Sequence, residues 1–309
     1  MIIDADIPAG LAAQAALGPA WQEWLRRLPV TASALLTEWE LRRDGSDVWH
    51  GFESMVVPVV DRGGQRGVLK LAFDGDDEGA QEALGLQHWH GRGAVRLVRA
   101  DPRRRALLLE RLERRDLTTV DDDEACTVVA GLYGVLHIPA PGRLTRLTTH
   151  LQGWLAGLAA MPRDAPVPRR FVEQALSLGR DFVSDTDGRG VIVHGDLHHE
   201  NVLAGPDGDW VAIDPSPMSG DRHYELAPML WNRLGPRDSD VREQIRRRFY
   251  TIVDAAGFDP DRARDWVIVR MILNAHWAIE DAERASRPLR PSDREWITTC
   301  ITVAKAVID

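Results

Sequence analysis

The sequence predicts an α+β protein with an antiparallel sheet in its N-terminal part and a mostly helical C-terminal part. Three observations lead to this fold class. Short apolar segments separated by turn residues follow one another between residues 39 and 112, one helical pattern interrupts them, and long helical patterns dominate after Asp121. Runs of strands followed by runs of helices are typical of this class. We place the boundary between two domains at 112/113, giving domains 1–112 and 113–309.

Composition limits the classes of partner. The 309 residues are 44% apolar and carry a formal net charge of −9, which disfavours nucleic acid and anionic membranes and favours a small cationic ligand. Only Cys126 and Cys300 occur, far apart and outside any zinc-ligand pattern. The acidic N-terminus and the lack of an apolar run of about 18 residues predict a cytoplasmic protein, which we expect to be a monomer or weak dimer.

The N-terminal segment has helical spacing of its apolar residues. Leu11, Trp21 and Leu25 belong to this pattern, and Pro29 follows it. Because proline breaks a helix interior, one or two short helices are expected over residues 8–28, ending before Pro29.

The predicted sheet comes next, with turn signals DG, DRGG and DPRRR between its strands. The expected strands are Trp39–Arg42, Met55–Val60, Val68–Phe73, Val95–Val98 and Ala106–Leu112. A helix over about Asp77–His90 should interrupt them, so the expected order is three strands, a helix and two strands. After Asp121, short apolar runs at 191–193, 201–203 and 210–213 should form small strands among long helices.

The sharpest motif is HGDLHHEN at 194–201, followed thirteen residues later by Asp214 in the segment IDP. Phosphoryl transfer needs a carboxylate at the acceptor hydroxyl and oxygen ligands that hold Mg²⁺ against a triphosphate. Asp196, Asn201 and Asp214 could supply these groups, and the spacing matches a kinase catalytic loop with its metal-binding turn. Taken singly, such residues usually cap helices or form Asx-turns instead.

Lys70 is a lone cation in the apolar strand VLKL, where an edge-strand charge is the ordinary explanation. Glu82 lies twelve residues later on the predicted helix and could pair with it beside nucleotide phosphates. Glu78, one helical turn earlier, could take the same role.

These motifs resemble the aminoglycoside phosphotransferases, whose catalytic loop reads HGDxxxxN. The further segments LERL, GRGAVRL, HGDLHHENVL, AIDPSP and WAIED resemble the streptomycin 6-kinase and hydroxyurea kinase group. The resemblance implies a protein-kinase-like fold of two lobes with ATP and Mg²⁺ as cofactors. It implies that Asp196 is the catalytic base or acceptor-orienting residue, that Asn201 and Asp214 bind Mg²⁺, and that Lys70 and Glu82 form the phosphate-binding pair.

Three further residues are candidates for nucleotide binding. Glu110 and Leu112 lie where the kinase hinge would offer backbone groups to adenine, although an ordinary core strand explains their segment equally well. The chain has no GxGxxG loop between residues 44 and 54, but Gly51 and Ser54 resemble the shorter phosphate loop of antibiotic kinases. The resemblance therefore implies that Ser54 contacts phosphate.

The acceptor side is less determined. The resemblance implies an acidic brace for the catalytic loop at Asp221 or Glu225, while helix capping is the alternative for Asp221. Charge-assisted hydrogen bonds and aromatic faces suit cationic sugars. Candidate substrate residues are Glu225 and, on a predicted helix, Asn274, Trp277, Glu280 and Asp281. A solvated acidic helix end explains the last group equally well.

The expected function is ATP-dependent O-phosphorylation of a small cationic molecule, most readily an aminoglycoside of the streptomycin type. A kinase acting on hydroxyurea, an amino sugar or another metabolite is the alternative, because a fold does not determine its substrate. A ligand-sensing pseudokinase is a second alternative, although such a protein would ordinarily have lost the lysine, the catalytic aspartate or a metal ligand.

Overall fold

A computed structural model describes residues 2, 6–75, 81–185, 190–234 and 240–308. The chain divides into two units, Met1–Glu113 and Arg114–Asp309. The first carries the larger sheet and the second carries most of the helices, so the structure has the predicted α+β class.

The N-terminal unit begins with helices that are longer than the sequence indicated. Helix α1 spans Ala9–Ala12, a 3₁₀ turn spans Ala13–Leu17, and α2 spans Pro19–Glu38. The predicted end before Pro29 is therefore wrong, as is the strand predicted at Trp39–Arg42. Pro29 removes one helical hydrogen bond, but the face of α2 that includes Leu28 and Leu35 is buried in the core. This packing outweighs the local preference of proline.

The sheet of this unit is antiparallel, with strand order β1-β3-β4-β6-β5 and β2 paired with β3. Its strands are Arg42–Arg43 (β1), Trp49–His50 (β2), Ser54–Val60 (β3), Arg66–Ala72 (β4), Leu97–Asp101 (β5) and Ala106–Glu110 (β6). The last four strands correspond to predicted ones within a few residues. The short strands β1 and β2 stand in place of the one strand predicted at Trp39–Arg42. Four strands therefore precede the helix, instead of the predicted three.

Helix α3 follows β4 and spans Glu82–Trp89. Its predicted beginning at Asp77, and the alternative residue Glu78, lie outside the described residues. Strand β4 lies between β3 and β6, so Lys70 sits in the middle of the sheet, opposite Val56 on one side and Leu107 on the other. The ordinary explanation of Lys70 as an edge-strand charge is therefore excluded.

The C-terminal unit is mainly helical. Its helices are Asp122–Leu136 (α4), Leu147–Ala160 (α5), Arg169–Ser184 (α6), Ala227–Trp231 (α7), Val241–Ala256 (α8), Pro260–Arg284 (α9) and Pro291–Ile308 (α10). Helix α9 packs against α5, α6 and α10. Across the described ranges, no helix is both long enough and apolar enough to span a bilayer.

Two small antiparallel pairs stand among these helices. Strand β7 (Val191–Val193) pairs with β10 (Met218–Gly220), and β8 (Val202–Ala204) pairs with β9 (Trp210–Ala212). The three short apolar runs singled out in the sequence thus form β7, β8 and β9. The segment 194–201 connects the two pairs, so both ends of the HGDLHHEN motif are held by strands.

Candidate active site

The HGDLHHEN segment begins with a turn that only glycine fits well. Gly195 has a φ of +87°, and a Cβ atom there would lie 2.5 Å from the carbonyl oxygen of Ser216. His194 anchors the turn, because its Nε2 lies 3.0 Å from the carbonyl oxygen of Ile213 and its carbonyl accepts from the Ser216 N–H at 2.8 Å. The backbone immediately before Asp196 is therefore closely constrained.

Asp196 lies at the surface of this loop, with 41% of its side chain exposed. The amide nitrogen of Asn201 donates to the Asp196 carbonyl at 2.9 Å and lies 3.5 Å from its Oδ2. The Nε2 atom of His198 lies 3.7 Å from the same carboxylate oxygen. The sequence-predicted catalytic residue is thus accessible and has a fixed orientation.

The pKa of Asp196 reflects opposing influences. Partial loss of hydration raises the pKa of its carboxyl above the ordinary value. Electrostatic interactions with His198 and Arg270 lower this pKa, and the negative charge of Asp214 raises it. The carboxylate is therefore a better proton acceptor than a fully hydrated aspartate, which suits a general base.

Asn201 and Asp214 are brought together by the β8–β9 hairpin. The Ile213 N–H donates to the Asn201 carbonyl at 2.9 Å, which places Asp214 directly beyond that end of the hairpin. Asp214 is exposed and adopts a φ of +58°, an uncommon backbone conformation for a residue other than glycine. Because the Asn201 amide nitrogen is directed toward Asp196, its amide oxygen remains for another ligand.

An amide oxygen and a carboxylate oxygen are ligands that Mg²⁺ accepts, and Mg²⁺ normally completes its shell with water and phosphate oxygens. Among the residues that the structure describes, no group of three or more His, Cys, Asp or Glu side chains could form a self-sufficient metal cage. The donors present therefore fit a metal ion that arrives with a nucleotide.

Glu225 and Asp221 have different roles. The Glu225 carboxylate is 1% exposed and accepts a hydrogen bond from the Gly195 N–H at 3.0 Å. Burial raises its pKa to about 8, against the backbone donors of Gly195 and His194, which lower it. Asp221 instead caps a 3₁₀ turn through the His223 N–H and accepts from Trp266 Nε1 at 2.7 Å. Glu225 thus braces the catalytic loop through Gly195, and at 1% exposure its predicted contact with the substrate stays a prediction.

Lys70 and Glu82 form a buried ion pair in the N-terminal unit. The Lys70 Nζ lies 2.7 Å from both carboxylate oxygens of Glu82, and the two side chains are 7% and 6% exposed. Strand β4 and helix α3 therefore present the pair that the sequence predicted.

The other nucleotide candidates lie near the ends of β3 and β6. Ser54 begins β3 and is 4% exposed, and its contact with phosphate stays a prediction. Glu110 ends β6, where its N–H donates to the Arg96 carbonyl at 3.1 Å and its Oε1 accepts from the Arg96 N–H at 2.7 Å. Leu112 lies two residues beyond β6, outside the strand pairing.

The predicted acceptor stripe on α9 is only partly available. Asn274 is 6% exposed and lies in the interior, so its predicted contact with the substrate stays a prediction. Trp277 is half-buried and packs edge-on against Trp154 of α5, with ring centroids 5.2 Å apart. The Glu280 side chain is 37% exposed, and the 54% exposed Asp281 forms a 3.1 Å ion pair with Arg284. Trp277, Glu280 and Asp281 remain accessible candidates.

Sequence reasoning missed a buried polar network beside the loop. The Arg248 side chain is fully buried and contacts Asp122 at 2.7 Å, while the Asp122 carboxylate lies 3.6 Å from Nε2 of the buried His199. Arg248 also donates to the carbonyl groups of Met229 and Arg233 at 3.0 and 2.8 Å. No local signal could have revealed it, because Asp122 and Arg248 are separated by 126 positions.

Comparison with known proteins adds the evolutionary relationship. A sequence profile of the family described as aminoglycoside/hydroxyurea antibiotic resistance kinase matches residues 38–282. A streptomycin 6-kinase from Streptomyces glaucescens is 38% identical over 297 residues, covering 92% of this chain and 94% of that protein. A hydroxyurea phosphotransferase from Kitasatospora aureofaciens is 37% identical over 278 residues, covering 87% and 78%.

A solved structure supports the fold. The choline kinase LicA from Streptococcus pneumoniae superposes with a TM-score of 0.62 at 12% identity, covering 92% of this chain and 99% of that one. The chain thus has the protein-kinase-like fold of small-molecule kinases, as its sequence predicted. Profile and relatives span most of its length, and it belongs to the aminoglycoside/hydroxyurea antibiotic resistance kinase family.

Proposed function

We propose that this enzyme transfers the γ-phosphoryl group of ATP to a hydroxyl of an aminoglycoside of the streptomycin type. The observation that carries the proposal is the accessible Asp196, whose orientation is restricted by Asn201. Asn201 and Asp214 lie together at one end of the β8–β9 hairpin. The relatives named streptomycin 6-kinase, which match nearly the whole chain, favour this acceptor class.

The chemistry assigned to the C-terminal unit depends on position and charge. Asp196 accepts a hydrogen bond from the acceptor hydroxyl and takes up its proton as the oxygen attacks phosphorus. Its partly desolvated carboxylate and its orientation by Asn201 support this role. Because Asp196 and Asn201 belong to one loop, a small change in that loop affects both proton acceptance and the alignment of the phosphate.

The proposed metal ligands are Asn201 and Asp214. A bound Mg²⁺ would neutralise charge on the phosphate oxygens during transfer. The backbone hydrogen bond between Ile213 and Asn201 supports this assignment, because it brings Asn201 and Asp214 to the same end of the hairpin. These two residues therefore supply the protein's part of the metal shell.

In the N-terminal unit, Lys70 is the proposed phosphate-binding cation and Glu82 the residue that orients it. A lysine held at 2.7 Å by a buried carboxylate has few rotamers open to it, so its charge has a defined location. The backbone of Glu110 and Leu112 is the proposed adenine-binding segment, because β6 ends at Glu110 and the chain leaves the sheet there.

The formal net charge of −9 favours a polycationic acceptor. Trp277 offers an aromatic face, and Glu280 and Asp281 offer carboxylates on the next turn of α9. A cytoplasmic location, where ATP is available, is part of the proposal.

Hydroxyurea is the second candidate acceptor, because a hydroxyurea phosphotransferase is nearly as similar in sequence as the streptomycin kinases. An amino sugar or another metabolite would use the same residues with a different acceptor surface. A pseudokinase without turnover is disfavoured, since Lys70, Asp196, Asn201 and Asp214 are all present.

The direct test is a coupled ADP-release assay with Mg-ATP and a panel of streptomycin, other aminoglycosides, hydroxyurea and amino sugars. Mass spectrometry of the products should show the addition of one phosphoryl group to streptomycin. Turnover of hydroxyurea alone would transfer the assignment to the second candidate. Nucleotide binding without ADP release from any acceptor would support the ligand-sensing alternative.

A further inference from the structure

Arg270 of α9 contacts the catalytic loop, although neither the sequence motifs nor the family resemblance singled it out. Its Nη2 atom donates to the Gly195 carbonyl at 3.4 Å. The same guanidinium lies over the Tyr224 ring, 4.7 Å from the centroid, and over the Trp277 ring at 5.3 Å. The side chain is half-buried between two aromatic faces.

Gly195 is consequently held at both of its backbone polar groups. The N–H is bound by the Glu225 carboxylate at 3.0 Å, and the carbonyl is bound by Arg270. The carbonyl belongs to the peptide group that joins Gly195 to Asp196, so its direction determines the start of the Asp196 backbone. The N–H of the same peptide group, that of Asp196, donates to His194 Nδ1 at 3.3 Å, so Arg270 and His194 together hold both polar groups of this peptide plane.

The aromatic contacts of Arg270 lead along one face of α9 to Trp277, two turns further on. Trp277 packs against Trp154, and the Trp154 ring stacks on His150 with centroids 5.5 Å apart. One guanidinium therefore joins the catalytic loop to an aromatic cluster of α5 and α9. A planar, delocalised cation can stack on rings and donate in its own plane, which a lysine ammonium cannot do.

We propose that Arg270 is a positioning residue for phosphoryl transfer: it orients the Gly195–Asp196 peptide and couples that orientation to the Trp277 surface on which the acceptor is proposed to bind. The coupling to Trp277 rests on the proposed function, whereas the orientation of Asp196 does not depend on the acceptor. An acceptor that packs on Trp277 would also restrict the guanidinium, and hence the loop.

The test compares Arg270→Gln and Arg270→Lys with wild type. A matched control is Arg264→Gln, because Arg264 lies on the same helix and its Nε donates to a backbone carbonyl, that of Val307, at 2.9 Å. For each protein we would measure kcat, the KM values for ATP and acceptor, and the midpoint of thermal unfolding. The rate of ATP hydrolysis in the absence of an acceptor would be measured as well.

Arg270→Gln is expected to lower kcat by about 10- to 100-fold with an unchanged KM for ATP, because loss of alignment acts on the chemical step. Arg270→Lys should recover part of kcat, since it keeps a charged donor but loses the stacking. Arg264→Gln should lower the unfolding midpoint without changing kcat. Equal kcat for Arg270→Gln and wild type, or a kcat that follows only the unfolding midpoint across all variants, would overturn the proposal.

A failure of the proposed acceptor is distinguishable from a failure of this inference. If wild type phosphorylates no aminoglycoside, the acceptor assignment fails. Arg270→Gln must still slow the hydrolysis of ATP, because Asp196 orients the attacking water as well. A rate of ATP hydrolysis in Arg270→Gln equal to that of wild type would overturn the positioning role itself. A reduced kcat with an unchanged KM for the acceptor in every Arg270 variant would support the orientation of Asp196 by Arg270. The same result would contradict the coupling to Trp277.

Discussion

The buried carboxylate of Glu225 accepts a hydrogen bond from the backbone N–H of Gly195 at 3.0 Å, one residue before Asp196. The two residues are separated by 30 positions, and Glu225 is 1% exposed. Burial of a carboxyl favours its protonated form, whereas the donated hydrogen bond favours the carboxylate. We therefore expect the charge of the group that braces the catalytic loop to depend on pH.

Glu225→Gln should make the protein less sensitive to rising pH. The pKa of Glu225 is raised from an ordinary 4.5 to about 8, so the folded state retains a proton that the unfolded chain releases between these values. The free energy of unfolding of wild type consequently falls as the pH rises through this interval. Glutamine can keep the acceptor for Gly195 but does not titrate, so the difference in stability should shift in favour of the variant with increasing pH.

Urea unfolding of both proteins at a series of pH values from about 5 to about 8.5 would measure this difference, because this range covers most of the interval between the ordinary and the raised pKa of Glu225. Glu225→Leu serves as a control that loses the hydrogen bond at every pH. Parallel stability curves for wild type and Glu225→Gln would show that Glu225 does not titrate in this range.

Gly195→Ala should impair catalysis far more than a similar change elsewhere. The added Cβ would meet the Ser216 carbonyl oxygen at 2.5 Å, so the turn before Asp196 must move. Gly208→Ala is a matched control, because Gly208 has a φ of +84° against +87° for Gly195 but no atom within 4 Å of the added Cβ. We expect a loss of kcat of about 100-fold only for Gly195→Ala, as a displacement of about 1 Å can cause. Equal losses would assign the effect to backbone strain alone.

Removal of one partner from the Lys70–Glu82 pair should destabilise the protein. Because both side chains are nearly buried, Lys70→Met or Glu82→Leu should each lower the free energy of unfolding by about 3–5 kcal/mol. The double variant Lys70→Met/Glu82→Leu should recover much of the stability but not the turnover of ATP. This separates the structural from the proposed phosphate-binding role.

A double-mutant cycle measures the coupling within this pair. The exposed pair of Arg26 and Glu23, also 2.7 Å apart, is the control and should show little coupling. Additive effects in the Lys70–Glu82 cycle would contradict a buried ion pair. Normal turnover in the double variant would remove Lys70 from the phosphate site.

Arg248→Lys should unfold more readily than wild type, although the charge is kept. A lysine cannot reproduce the fork that contacts Asp122 and the carbonyl groups of Met229 and Arg233. Unpaired buried acceptors cost about 1–3 kcal/mol each, so thermal unfolding should show a large decrease in midpoint. Arg247→Lys changes the neighbouring residue, whose side chain is 51% exposed, and should have little effect. Equal midpoints for the two variants would contradict a structural role for the network.

The sequence was most informative where chemistry and local structure coincide. Asp196, Asn201 and Asp214 follow from residue type and spacing, whereas the choice of Lys70 and Glu82 depends on the family resemblance. The strands on either side of residues 194–201 follow from short apolar runs. These elements depend on contacts between near neighbours in the chain. Their roles stay predictions until they are tested by mutation.

Tertiary packing decided the features that the sequence misjudged. Helix α2 continues through Pro29 because its apolar face covers the sheet, and Asn274 is buried because α9 is enclosed by other helices. The contact of Arg270 with Gly195 spans 75 positions, and that of Arg248 with Asp122 spans 126. Periodicity and local motifs contain no information about such pairings.

The most direct test of phosphoryl transfer by the HGDLHHEN loop is a comparison of Asp196→Asn with wild type. Asparagine preserves the shape of the side chain but cannot act as the base, so transfer of the labelled γ-phosphoryl group from ATP to streptomycin should fall by at least about 100-fold, the lower range for general acid–base catalysis. ATP binding, measured by calorimetry, should be retained. Transfer at the wild-type rate by Asp196→Asn would contradict the assignment of Asp196 and with it the proposed mechanism.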